Sequence, residues 1–177
     1  MKRRTFVQQI GIGTALVGAG MPVNLWGAPK AETVQLTILH TNDVHSRIEP
    51  FDSGRNAGRG GAARRAAMIK QIRQEEEHVL LLDAGDIFQG TPYFNFFAGE
   101  LEFKLMSEMQ YDAATIGNHD FDAGIDGLVK QLPHANFPFL IGNYDFSDTV
   151  MAGKTQAYKI FQKGPLKIGV FGLGIEL

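Results

Sequence analysis

Residues 115–124 read TIGNHDFDAG, and positions 118–122 of that stretch hold Asn118, His119, Asp120 and Asp122. Gly117 and Gly124 flank the group, and the apolar run AATIG (113–117) leads into it. An apolar run that stops at glycine is the pattern of a buried strand giving way to a loop. The same pattern recurs on both sides. VQLTILH (34–40) runs into HTNDVH, VLLLD (79–83) into DAGD, and FPFLIG (137–142) into GNYD.

Between these runs the periodicity changes. AARRAAMIKQIRQEEE (62–77) places Ala62, Ala66, Ile69 and Ile72 at helical spacing, and ELEFKLMSEM (100–109) aligns Leu101, Leu105 and Met109. IDGLVKQL (125–132) is a third helical segment. Strand–helix–strand units in succession predict an α/β fold with a largely parallel sheet and right-handed crossovers. The tail AYKIFQKGPLKIGVFGLG predicts two strands around a turn at Lys163, Gly164 and Pro165. No internal repeat and no low-complexity segment interrupts this order.

In open α/β sheets, ligands gather beyond the carboxyl ends of the strands. All four predicted strand ends carry Asp, Asn or His, and two carry histidine. One such cluster is ordinary turn chemistry; four in succession are not. Asp43 and His45 are two apart, so an extended backbone would point both side chains the same way, a carboxylate and an imidazole sharing one ion. Asp86 follows Gly85, which lets the loop approach a cation closely. Asn118 offers a neutral carbonyl oxygen. Oxygen and nitrogen donors without sulfur suit Zn, Mn, Fe, Co or Mg and do not choose among them. Asp83 is expected to hydrogen-bond its loop rather than bind metal, and Asn143 to border the site. His40 is expected to face the sheet, and His78 and His134 to be solvated. Asp120 is assigned no chemistry.

Composition narrows the class. A chain of 177 residues, 44% hydrophobic and 20% charged, has room for one domain with its own core. The formal charge of −2 and the lack of a basic patch argue against a nucleic-acid partner. There is no cysteine, so disulfides, thiolate metal sites and a lipoprotein anchor are excluded. The N-terminus MKRRTFVQQIGIGTALVGAGMPVNLWGAPKA is basic, then apolar over residues 10–25, then rich in small residues. Glycines at 11, 13, 18 and 20 make it a poor membrane span. Arg3, Arg4 and Phe6 sit in the register of a twin-arginine export signal, although Lys2 and Gln8 depart from that pattern. Residues 1–31 are therefore read as a twin-arginine-like export signal, which places the protein in the periplasm or otherwise outside the cytoplasm of a bacterium. An ordinary secretory signal or a retained N-terminal anchor is the alternative.

Taken in order, ILHTNDVHS, LLDAGDIFQGTPY and TIGNHDFDAG resemble the periplasmic 5′-nucleotidase branch of the calcineurin-like metallophosphoesterases. The ordered set D-x-H, G-D, G-N-H-[DE] is far more specific than its parts. GGAARRAAMIKQIR and NFPFLIGNYDF fit the same family, so the resemblance runs from Val34 to the C-terminus. It implies a metallophosphoesterase sandwich, two sheets flanked by helices, with residues 32–177 supplying the N-terminal part of the catalytic domain and only the first half of the fold. It also implies two divalent metal ions. By motif position Asp43 and His45 would hold the first ion, Asp86 would bridge both, and Asn118 would hold the second. His119 and Asp122 resemble the family's catalytic pair, Asp122 orienting the imidazole that stabilises the transition state.

Charge supports that division. Two divalent ions carry about +4 against about −3 from Asp43, Asp86 and a bridging hydroxide, leaving attraction for a phosphate dianion. A third carboxylate at position 118 would cancel it. The implied reaction is hydrolysis of a small phosphate ester, a nucleoside monophosphate above all, by metal-bound hydroxide. Rivals within the superfamily hydrolyse 2′,3′-cyclic nucleotides, UDP-sugars or thiosulfate esters, and a rival of another class is a non-catalytic exported metal-binding module. The family completes its site with later G-H and G-H-x-H motifs. After GNHD the only histidine here is His134, so a missing C-terminal part is expected and the chain alone should be nearly inactive.

Overall fold

A computed structural model describes residues 33–176. The export signal expected over residues 1–31 lies outside the described residues. Three strands, β1 (Thr37–Thr41), β2 (Val79–Asp83) and β3 (Ala113–Ala114), form a sheet in the order β1-β2-β3. All pairing is parallel, with Thr37 opposite Val79 through Thr41 opposite Asp83, and Asp83 opposite Ala114. The crossover from β1 to β2 contains α1 (Ala62–Glu75); that from β2 to β3 contains α2 (Pro92–Phe97) and α3 (Glu100–Glu108). A further helix, α4 (Gly124–Gln131), follows the third strand end. The tail forms the expected hairpin, β4 (Tyr158–Lys163) antiparallel to β5 (Leu166–Phe171).

Alternation along the strands divides the core in two. Leu81, Ala114 and Phe139 face the helices and join Ile69, Phe103, Met106 and Leu128 in one apolar cluster. Leu80, Ala113 and Leu140 face the opposite way and pack on Phe161 of the hairpin, with Ile168 and Val170 beside it. The first layer is rich in aromatic contact: Phe103 lies 4.7 Å from Phe88 and 5.1 Å from Phe139. Gly99, at φ +101°, makes this possible, since a Cβ there would run into the Phe88 ring.

Several expectations need correction. The strand expected over residues 113–117 is only two residues long, because the chain leaves the sheet to wrap around Asp86. The stretch 137–142 is no regular strand; it contributes single bridges, Ala114 to Phe139 and Leu140 to Gln156. Both continue the parallel sheet outward. The short helix at Pro92–Phe97 had no apolar stripe to announce it: none of its residues is buried. His40 does not pack against the sheet; it is exposed at the edge of a cavity of about 290 Å³ between sheet and hairpin. His78 is not solvated either: its side chain is 13% exposed, against the hairpin turn at Gly164. His134 is half-buried, 3.9 Å from Glu100.

Candidate metal centre

Three loops at the carboxyl ends of β1, β2 and β3 build the site. The first two are zipped by backbone hydrogen bonds: Asp43 N–H to Gly85 O (3.0 Å), His45 N–H to Asp86 O (3.0 Å) and Ser46 N–H to Ile87 O (2.8 Å). The third loop joins when the His119 N–H donates to Asp86 Oδ1 at 3.0 Å. Asp43, His45, Ser46 and Asp86 all have φ near +50°. Left-handed backbone at non-glycine residues costs on the order of 1 kcal/mol each and persists only where the surroundings impose it. The expectation of an extended 43–45 segment is therefore wrong, although its consequence stands. Asp43 and His45 converge because the chain coils, with His45 Nε2 3.8 Å from Asp43 Oδ1.

One donor atom from each of Asp43, His45 and Asp86 lies within 4.8 Å of the others, the spacing of ligands around a single ion. His45 Nδ1 is 3.2 Å from the Phe88 carbonyl. Donation there fixes the tautomer and leaves the Nε2 lone pair facing the carboxylates, the usual support of a metal-binding imidazole. Two carboxylates and one imidazole, with no sulfur, fit a divalent cation. Asn118 begins the 3-10 turn His119–Phe121 and makes no side-chain cap bond there. It sits between two anchored residues, Gly117 and His119, in the loop that encircles Asp86.

His119 Nδ1 is 3.0 Å from Asp122 Oδ2, and its ring stands 5.1 Å from that of His45, edge-on at 73°. The hydrogen bond to Asp122, reinforced by the charges of Asp122, Asp86 and Asp120, raises the imidazole's pKa above the ordinary histidine value. With Nδ1 bonded to Asp122, Nε2 is the nitrogen left for a ligand.

Asp83 behaves as expected, accepting from Gly85 N–H (2.9 Å) and Thr41 Oγ1 (2.5 Å) rather than facing the cluster. Burial pushes its pKa up to about 7 against both of those bonds. Asn143 does not border the site: its amide closes on the backbone of Gly174. Asp120 is where sequence reasoning missed most. Its two oxygens accept four backbone N–H groups, from Gly117 (2.8 Å), Asp86 (3.1 Å), Ile87 (2.9 Å) and Phe88 (3.0 Å). This buried carboxylate clamps the second loop to the third. No local signal distinguishes it from Asp122, two residues on; only the loops folded over it do.

At the strand ends of a parallel sheet, Asp43, His45 and Asp86 form a group able to hold a metal ion, with the His119–Asp122 pair beside it. A family model for the calcineurin-like phosphoesterases matches residues 36–172, and the chain belongs to that family. Proteins similar to it include several 5′-nucleotidases. The snake venom 5′-nucleotidase of Crotalus adamanteus is 47% identical over 151 residues, 80% of this chain and 26% of that protein. The human 5′-nucleotidase is 42% identical over 158 residues, 84% of this chain and 27% of that protein. Among solved structures, the 5′-nucleotidase precursor from Thermus thermophilus superposes with a TM-score of 0.74 at 37% identity, over 78% of this chain and 28% of that one. The chain thus spans about a quarter of the length of the relatives it matches.

Proposed function

We propose that this chain carries the metal-binding and acid–base part of an exported phosphoesterase that converts nucleoside 5′-monophosphates to nucleoside and phosphate. The observation that carries the reading is the convergence of Asp43, His45 and Asp86 beside the His119–Asp122 pair. Asp43, His45 and Asp86 would hold a first divalent ion, and Asp86 with Asn118 a second. Such ions, when bound, supply Lewis-acid charge and water of lowered pKa. The remaining chemistry belongs to side chains. Asp122 holds His119 with Nδ1 occupied, so that Nε2 meets a phosphoryl or leaving-group oxygen. The raised pKa keeps that imidazole protonated further toward neutral pH, as a donor to developing negative charge requires. The 5′-nucleotidase relatives favour a nucleotide over other phosphate esters. The reading of residues 1–31 as a twin-arginine-like signal supplies the export.

Replacing the matching segment of the Thermus thermophilus relative with residues 36–172 of this chain tests the proposal. The chimera should release phosphate from adenosine 5′-monophosphate with Mn²⁺. His119→Ala in it should lower turnover by roughly 10²–10⁴-fold with Mn²⁺ content unchanged. A folded, metal-loaded chimera without that activity refutes the substrate; metal loss in the His119 variant refutes the division of roles.

A further inference from the structure

Behind the first ligand loop lies a small cavity of about 10 Å³, lined by Val44, Arg65, Asp83, Glu102, Met106 and Tyr111 among others. Its polar lining is unevenly satisfied. Asp83 is paired with Thr41 and Gly85, and the Tyr111 hydroxyl with Thr41. Glu102 is not: it is 3% exposed, and neither carboxylate oxygen has a hydrogen-bond partner among the described residues. Arg65 Nε is likewise buried and unpartnered among them. A buried carboxylate without a partner is expensive, and so is a buried guanidinium N–H; each needs an explanation. Here both face one space about the size of a single water, and the charges are opposite.

We propose that Glu102 and Arg65 form a buried ion pair joined through one occluded water, and that the pair acts as positioning residues for Asp43 and His45. Arg65 and Val44 line both this cavity and a second one, of about 400 Å³, that Asp43 and His45 open into. Arg65 therefore runs beneath the 43–46 loop from the ligand side to the rear. That loop holds three non-glycine residues at positive φ, so it has no local preference for its own shape. A fixed support beneath it supplies what the backbone lacks. Glu102, in the first turn of α3, is anchored by its helix and holds the far end of the support. A water suits the space better than a cation, because Arg65 already supplies the positive charge.

The effect on metal rests on the metal-site reading above; the pairing of Glu102 with Arg65 does not. Glu102→Gln and Arg65→Gln, singly and together, are made in the full 177-residue chain. In EDTA, urea midpoints should fall in each single variant, and the double variant should fall no further than the worse single. With Mn²⁺ as probe, each single variant should bind roughly 10–100-fold more weakly, and the double variant no more weakly than either. Additive losses, or parent-like Mn²⁺ affinity in both singles, overturn the proposal. Should the singles not fold, the apolar exchange Arg65→Met/Glu102→Leu should melt at or above the parent in EDTA yet bind Mn²⁺ about tenfold more weakly; parent-like affinity there overturns it as well. Asp86→Asn separates the two readings. If Mn²⁺ binding survives that substitution, the metal-site reading fails, and the urea cycle in EDTA alone decides the pair.

Discussion

Truncating Asp120 tests how the site is held together before any metal binds. Asp120→Ala removes the acceptor of four backbone N–H groups. Those of Asp86 and Gly117 are only partly buried and can regain water. Those of Ile87 and Phe88 belong to residues 1% exposed and cannot. An unsatisfied buried donor costs about 1–3 kcal/mol, so these two together cost about 2–6 kcal/mol, a large part of a domain's net 5–15 kcal/mol. Burial opposes the ionised carboxylate and pushes its pKa up to about 6, desolvation outweighing the N–H groups that favour the charge. The folded pKa lies above the unfolded value of 3.8. The native state therefore holds the proton more tightly between about pH 4 and 6, and this group's contribution falls as pH rises through that window. The loss on truncation should be largest below about pH 4 and should shrink by about 1.4 kcal/mol between pH 5 and pH 8. Urea unfolding followed by circular dichroism in EDTA, at both pH values, measures it. Asp120→Glu, which keeps the carboxylate, should lose much less. A loss under about 1 kcal/mol at pH 5, or one that grows with pH, would falsify the clamp.

Two further outcomes follow from the same geometry. A Cβ at Gly117 would collide with Asp86, at both its Oδ1 and its backbone nitrogen. Gly117→Ala should therefore displace Asp86 and weaken Mn²⁺ binding by about tenfold or more, whereas Gly169→Ala, with nothing within 4 Å of its added carbon, should leave binding unchanged; equal affinities in calorimetry refute the contact. Asp122→Asn should lower the His119 pKa, because the bond to Asp122 is the largest cause of its rise. A titration of the imidazole resonances by NMR that shows no downward movement refutes that coupling.

Much of this protein is legible without coordinates. The continuous run VLLLD is β2 residue for residue, since a strand covered on both faces needs apolar side chains on both. The helical spacing of Ala62, Ala66 and Ile69 becomes the stripe that α1 turns to the core. Strand ends and short motifs are local, so the clusters holding Asp43, His45, Asp86, Asn118, His119 and Asp122 stand out in the sequence, and the structure brings Asp43, His45 and Asp86 together beside the His119–Asp122 pair. What the sequence could not decide depends on contacts between segments far apart. The left-handed coil at residues 43–46 is imposed by carbonyls of residues 85–87. Asp120 differs from Asp122 only because the 86–88 backbone closes over one and not the other. Glu102, written like any charged residue in an amphipathic helix, is buried in a cavity lining it shares with Val44 of the first ligand loop and Arg65 of α1. Hydrophobic periodicity names the face of an element, but the partners that cover a polar side chain, and so its charge and its role, exist only once the loops have packed.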